Sequence, residues 1–201
     1  MTPPSFALFD TAIGRCAIVW GARGVIGVEL PAATEAATRA RLLRRHPQAR
    51  EAAPPPEIAR AIAGIVALTG GERRDLADIV LDLDGVPEFN RRVYAIARTI
   101  APGSTLTYGA IAARLGEADA RAVGEAMGEN PIPIIVPCHR VVAANRKTGG
   151  FSAPGGVATK LRLLAIEGAQ LDEAPTLFDR DGGLEFALRP RRAQRARRDS
   201  N

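Results

Sequence analysis

Cys138 and His139, adjacent in the chain, are the side chains best suited to covalent chemistry. A cysteine becomes a nucleophile when its thiolate is favoured, and a nearby imidazole can take its proton. Neighbouring residues on an extended segment point to opposite faces. Contact between the two therefore needs a turn, or a water between them. Pro137, after the apolar run Ile134-Ile135-Val136, supplies a reason for a turn. A plainer reading stands beside this one: a cysteine following such a run is commonly buried and inert. The remaining cysteine and histidine, Cys16 and His46, lie far away in sequence. Two cysteines make no disulfide framework, and no Cys/His set has zinc-finger spacing, so no metal is expected.

The elements around this pair follow from periodicity. Phe6–Phe9, Cys16–Trp20 and Val25–Leu30 alternate as strands separated by Gly-containing turns, which predicts an antiparallel meander. A polar, alanine-rich helix is expected over about 33–45, and a second over about 57–68 with Ile58, Ile62 and Ile65 on one face. Ile79–Leu83 reads as a further short strand, and Asp84-Gly85-Val86-Pro87 as a linker. Beyond it Phe89, Val93, Ile96, Ala97 and Ile100 keep one helical face. Thr107–Leu115 is a short amphipathic helix capped by Thr107 or Thr105 and ended by Gly116. Asp119 can cap a third helix, Ala120 to about Gly128, and two short helices joined this way suit a helix-turn-helix. Asn130-Pro131-Ile132-Pro133 cannot be helical, and a Gly-rich stretch runs from Gly149 to Gly156. A last helix, about Val157 to Glu167, is expected to bury Leu161, Leu164 and Ala165.

At 201 residues and 46% hydrophobic content the chain can bury a core, and no apolar run is long enough to span a membrane. Its first residues lack the basic and apolar regions of a signal peptide, so a cytoplasmic location is the expectation. The net charge of +5 is misleading as a nucleic-acid signal. The segment from Arg189 to Asn201 carries six arginines against Asp199, a net +5 that accounts for the whole excess. The rest of the chain is near neutral, so basicity alone says little about its site.

Ile135-Val136-Pro137-Cys138-His139-Arg140-Val141 resembles the active-site signature of the O6-alkylguanine-DNA alkyltransferases (methylated-DNA–protein-cysteine methyltransferases). The resemblance runs from Phe89 to Gly168. It includes Gly103-Ser104-Thr105-Leu106-Thr107-Tyr108, Ala120-Arg121-Ala122-Val123-Gly124, Asn130-Pro131-Ile132-Pro133 and Leu163-Leu164-Ala165-Ile166-Glu167-Gly168. The expected fold class is α/β (α+β). Residues 1–85 would form the family's ribonuclease-H-like N-terminal domain, a small antiparallel sheet with helices. Residues 86–170 would form the mostly helical, helix-turn-helix-containing DNA-binding and catalytic domain, and 171–201 a basic tail.

The resemblance assigns roles. Cys138 would accept the alkyl group in a single-turnover, irreversible transfer from O6-methylguanine, or less well O4-methylthymine, in double-stranded DNA. His139 would deprotonate it through a water, Glu167 would orient His139, and Asn130 would hold the turn. The carboxylate would fix the tautomer and make the thiolate available near neutral pH. The target atom lies in a stacked duplex, so the base must leave the stack. Arg121 matches the arginine that fills the vacated space, and the small residues Ala120, Ala122 and Gly124 would let the helix approach the minor-groove floor. Tyr108 matches the tyrosine at the target phosphate and base, which protonates the departing guanine. Backbone groups near Cys138, Val141 and Ser152 would read that guanine between Met127 and Phe151, and Lys160 would lie near its pocket. No cofactor is implied, because the damaged DNA supplies the alkyl group. A monomer is expected, with no membrane partner.

The chain departs from the family where some members carry a basic residue after the helix methionine: it has Gly128-Glu129. With Asp119 and Glu125 this makes the recognition helix poorly basic, and phosphate contacts dominate DNA affinity. Two other readings stand beside alkyl transfer. One is a non-catalytic lesion-recognition module, against which Cys138 argues. The other is an unrelated cysteine hydrolase, which would leave the helix-turn-helix and Arg121 without purpose.

Overall fold

A computed structural model of the chain describes residues 3–116, 119–144 and 148–169. The expected basic tail, 171–201, lies outside the described residues. The fold is mixed α/β. Strands β1 (Ser5–Thr11), β2 (Gly14–Gly21) and β3 (Gly24–Glu29) form the antiparallel meander read from the sequence. A two-residue strand, β4 (Arg50–Glu51), adds in parallel to β1, giving the order β3-β2-β1-β4.

Every residue of β2 from Cys16 to Trp20 is buried, because both faces of the sheet are covered. Successive side chains alternate between faces. Cys16, Ile18 and Trp20 join the main core, while Ala17 and Val19 pack with Phe6 and Leu42 in a smaller one. Leu42 belongs to α1 (Glu35–Arg45), whose first turn is capped by the Thr34 hydroxyl accepting from Ala37 N at 3.1 Å. Helix α2 (Pro56–Thr69) puts proline at its first position, where a missing N–H costs nothing, and buries Ile58 and Ile65.

The strand expected over Ile79–Leu83 is reduced to a single bridge between Val25 and Leu81. Val25 N donates to Val80 O and Val25 O accepts from Asp82 N. The Leu83–Val86 turn, closed by Val86 N donating to Leu83 O, then takes the chain away before pairing can extend. Gly24, at φ 137, is needed for this approach: a Cβ there would stand 2.5 Å from the Val80 carbonyl.

Helix α3 (Glu88–Ala97) buries Val93, Tyr94 and Ala97 but stops short of Ile100, which lies in the turns that follow. A strand of two residues, β5 (Leu106–Thr107), leads into α4 (Tyr108–Leu115). Of the two threonines considered, Thr107 is the cap, accepting from Ala110 N at 3.1 Å. Gly116 ends α4 in the left-handed region. Asp119 caps α5 (Ala120–Gly128) by accepting from Arg121 N at 2.8 Å. Ile111 and Ala112 of α4 and Val123, Ala126 and Met127 of α5 are buried between the two helices and α3. The Tyr94 hydroxyl fixes that packing by donating to Ala126 O at 2.9 Å.

Strand β6 (Val141–Val142) pairs in parallel with β5, and helix α6 (Gly156–Ile166) closes the described chain. On α6 the buried residues are Lys160, Leu163 and Leu164, while Leu161 is half-buried and Ala165 exposed. The inward face differs from the expected Leu161–Leu164–Ala165 because the Lys160 ammonium finds an interior acceptor, Val141 O at 2.6 Å. The main core spans the described residues, from Val28 and Leu30 in the sheet to Met127, Ile132 and Ile134. A backbone bond, Val28 N to Pro131 O at 2.9 Å, ties β3 directly to the segment before Cys138. Among the described residues no helix is long and apolar enough to cross a membrane.

Candidate active site

The segment from Asn130 to Pro137 is a clamped loop. Asn130 Nδ2 donates to Val136 O at 2.8 Å, and its Oδ1 accepts from Ile132 N at 2.9 Å. Val136 N donates to Ile132 O, closing the loop from inside. Within it Ile134 holds φ at +74°, a conformation that β-branched residues rarely adopt. Such strain costs on the order of 1–3 kcal/mol and persists only where the surroundings over-determine it. The loop delivers the chain into a single 3-10 turn, Cys138–Arg140, which is the turn that a Cys–His arrangement required.

Cys138 is 7% exposed. It lines a cavity of about 590 Å³ together with Tyr108 of α4 and Arg121, Gly124 and Met127 of α5. Phe151 and Ser152 complete the opposite side, where the Ser152 hydroxyl donates to Gly128 O at 2.9 Å and joins that loop to the end of α5. Seven of the residues singled out in the sequence thus share one cavity. Ala120 and Ala122 sit half-buried on the same helix, outside the lining. Asn130, His139, Val141, Lys160 and Glu167 are buried and do not line the cavity.

The His139 and Glu167 side chains are almost completely buried, and His139 Nε2 meets Glu167 Oε1 at 2.8 Å. Glu167 is thus an interior carboxylate although it caps the end of a helix. The same carboxylate takes two bonds from Arg140, Nη2 to Oε1 at 2.8 Å and Nε to Oε2 at 2.9 Å. Arg140 Nη1 donates to Ile100 O at 2.5 Å, and Gly103 N approaches Oε2 at 3.3 Å. Gly103 sits at φ 81, where a Cβ would stand 2.8 Å from the Glu167 carbonyl. Sequence reasoning missed Arg140, although it lies inside the heptad. No local signal could have found it, because the grip on Glu167 depends on the packing of α6; a carboxylate without such a fork-shaped donor is costly to bury.

Electrostatics set the protonation states. Burial holds His139 below the ordinary histidine range, against the opposing pull of Glu167. Burial alone would raise Glu167, yet its bonds to His139 and Arg140 bring it down to about 2. A neutral imidazole with Nε2–H facing a carboxylate leaves Nδ1 as the basic nitrogen, and Nδ1 has no protein partner. The thiol differs from expectation. Burial pushes Cys138 up, outweighing the downward pull of the Asn130 amide, of Lys160 and of the Cys138 and His139 backbone N–H groups. The resting site therefore holds a thiol beside a neutral imidazole, and the thiolate must be made during the reaction. Lys160 is fully buried, 5.7 Å from the centroid of the Tyr108 ring, and burial lowers it to about 8 against the attraction of Cys138. Cys16 is raised to about 11 by burial, against a bond from Thr11, and packs in the sheet as expected. Among the described residues no three His, Cys, Asp or Glu side chains converge as a metal site.

This arrangement can carry out one proton abstraction and one nucleophilic displacement in a cavity beside a helix-turn-helix. Residues 88–169 match the family model for the DNA-binding domain of 6-O-methylguanine DNA methyltransferase. The chain is 35% identical over 155 residues to the methylated-DNA–protein-cysteine methyltransferase of Methanothermobacter thermautotrophicus, covering 77% of this chain and 80% of that protein. It is 47% identical over 128 residues to the protein of the same name from Mycolicibacterium paratuberculosis, covering 61% and 75%. The crystal structure of Mycobacterium tuberculosis OGT in complex with DNA superposes with a TM-score of 0.63 at 32% identity, over 81% of this chain and 92% of that one.

Proposed function

We propose, from the premise that this chain belongs to the methylated-DNA–protein-cysteine methyltransferase family, that Cys138 is the residue on which its DNA-repair reaction ends. The protein is a DNA-binding methyltransferase that reverses alkylation damage directly. The observation that carries the assignment is the Cys138 thiol in the wall of a cavity large enough for a base, with the buried His139–Glu167 pair behind it.

His139 Nδ1 takes the thiol proton through a bridging water, and the imidazolium is stabilised by Glu167. The sulfur attacks the alkyl carbon of O6-methylguanine. The S–C bond forms as the C–O6 bond breaks, and the electron pair stays with the guanine. Tyr108 supplies a proton so that the base departs neutral. O4-methylthymine is a poorer substrate of the same kind. The thioether is stable, so each molecule acts once, and the DNA itself supplies the alkyl group without a cofactor.

Residues 86–170 bind DNA and react, and residues 1–85 support them. The Val28–Pro131 bond gives that support a physical route to the active-site loop. Arg121 fills the space left by the flipped base, and Ala120, Ala122 and Gly124 let α5 approach the minor groove. Backbone groups at Cys138, Val141 and Ser152 read the guanine between Met127 and Phe151. The protein works as a monomer in a reducing compartment, the cytoplasm, where its thiols persist.

The test is a titration with a duplex whose single O6-methylguanine carries a radiolabelled methyl group. Label should move to protein and saturate at one methyl per molecule. Continued turnover would contradict the reading. Tight lesion-selective binding without transfer would favour a recognition module instead.

A further inference from the structure

Arg121 and Glu125 stand one turn apart on α5, and both line the cavity that Cys138 lines. Arg121 Nε donates to Glu125 Oε1 at 3.1 Å. The two side chains are 86% and 65% exposed, so packing does not hold the guanidinium in place and the carboxylate does. The other acidic groups at the ends of α5 are occupied differently. Asp119 accepts from the Arg121 backbone, and Glu129 accepts from Asn90 Nδ2 at 2.8 Å. Glu125 alone of the three engages the arginine side chain. Any arginine that fills a vacated base position must first leave this partner.

We propose that Glu125 is a latch on Arg121, stowing the guanidinium along α5 while the protein samples intact duplex and releasing it where a base has left the stack. The proposal rests on the reading of Arg121 as the side chain that fills the vacated space. An exposed pair at this helical spacing is worth about a twofold preference. The latch therefore lowers every flipped state by the same small factor, with unequal consequences. At a lesion the flipped state dominates, and halving its weight barely changes its occupancy. At an intact guanine the flipped state is rare, and its occupancy is halved outright. Glu125 thus suppresses unproductive flipping at little cost to repair, which makes it a specificity-determining residue for the search.

The experiment uses the full chain at saturating concentrations of an undamaged duplex with 2-aminopurine at the target position, whose fluorescence rises on unstacking. Saturation removes differences in overall affinity. Glu125→Gln keeps the side-chain shape and sits on an exposed helix face, so the fold is spared. The latch predicts that Glu125→Gln raises the flipped signal about twofold. It also predicts a low signal for Arg121→Ala that Glu125→Gln no longer changes in the double variant. An unchanged signal in Glu125→Gln overturns the latch. So does an equal rise in the Arg121→Ala background, which would make Glu125 a simple repeller of phosphate. If Arg121→Ala flips the probe as well as the unaltered protein does, the reading of Arg121 itself falls, and that outcome is distinct from the other two.

Discussion

His139 and Glu167 are 28 residues apart in sequence and 2.8 Å apart in the fold, joined Nε2 to Oε1 in a buried pair. Glu167 closes the C-terminal end of α6, and His139 belongs to the 3-10 turn that carries Cys138. The bond therefore ties the last described helix to the Cys138 turn. It also selects the tautomer that leaves Nδ1 basic. Arg140 completes the arrangement by neutralising the carboxylate through both oxygens.

The first consequence is a pH profile. Burial lowers His139 and raises Cys138, so the reactive combination of neutral imidazole and thiol exists throughout neutrality. Single-turnover transfer should be flat around pH 7 and should fall only below the ordinary histidine value of about 6.5, as His139 takes up a proton. A rate that instead climbed through about pH 8.5, the ordinary thiol value, would mean that solvent ionises the cysteine without His139.

Glu167→Gln should cost both stability and rate. It leaves the Arg140 guanidinium buried without a counter-charge, a change worth about 3–5 kcal/mol in urea denaturation. The pH dependence has a definite sign. The Glu167 carboxyl is depressed from 4.5 to about 2, so its contribution is fully present above 4.5 and is lost as pH falls toward 2. The share of the stability gap that comes from the carboxyl's own titration should narrow over that window.

Asn130→Ala would leave two buried backbone groups, Val136 O and Ile132 N, without their side-chain partner. Each orphaned group costs about 1–3 kcal/mol. The strained Ile134 backbone would lose part of what holds it, so the Cys138 turn should loosen. Transfer should slow by about tenfold or more, a misplacement effect, while binding to the duplex is retained. Equal loss of binding and transfer would place Asn130 in general stability instead.

Lys160→Met isolates the buried ammonium. Lys160 is depressed to about 8, so its charge costs stability at neutral pH, and that cost disappears as pH rises from about 8 toward 10.5. The unaltered protein should gain stability relative to the methionine variant over that range, read from denaturation midpoints. The variant should also transfer more slowly at pH 7, because the cation that favours the thiolate is gone. A pH-independent difference would show that Lys160 keeps its ordinary value in the fold.

Much of the fold was legible where periodicity and caps agree. The β1–β3 meander, α2, Thr107 and Asp119 as caps, and Gly116 as a stop all follow from local chemistry. The misses are tertiary. Ile79–Leu83 has strand composition but meets only one residue of β3. The inward face of α6 differs from Leu161–Leu164–Ala165 because Val141 O, distant in sequence, gives the Lys160 ammonium an interior partner. In the site, residue types and the family motifs led to Cys138, His139, Glu167, Tyr108 and Arg121. Two features were hidden because they depend on distant packing: the grip of Arg140 on Glu167, and the upward push of burial on the thiol.

The most direct measurement is intact-protein mass spectrometry after mixing with a duplex bearing one O6-methylguanine. The unaltered protein and Cys16→Ala should each gain about 14 Da, one methylene, while Cys138→Ala should gain nothing. A gain that survives in Cys138→Ala, or one that is lost only in Cys16→Ala, would contradict Cys138 as the acceptor.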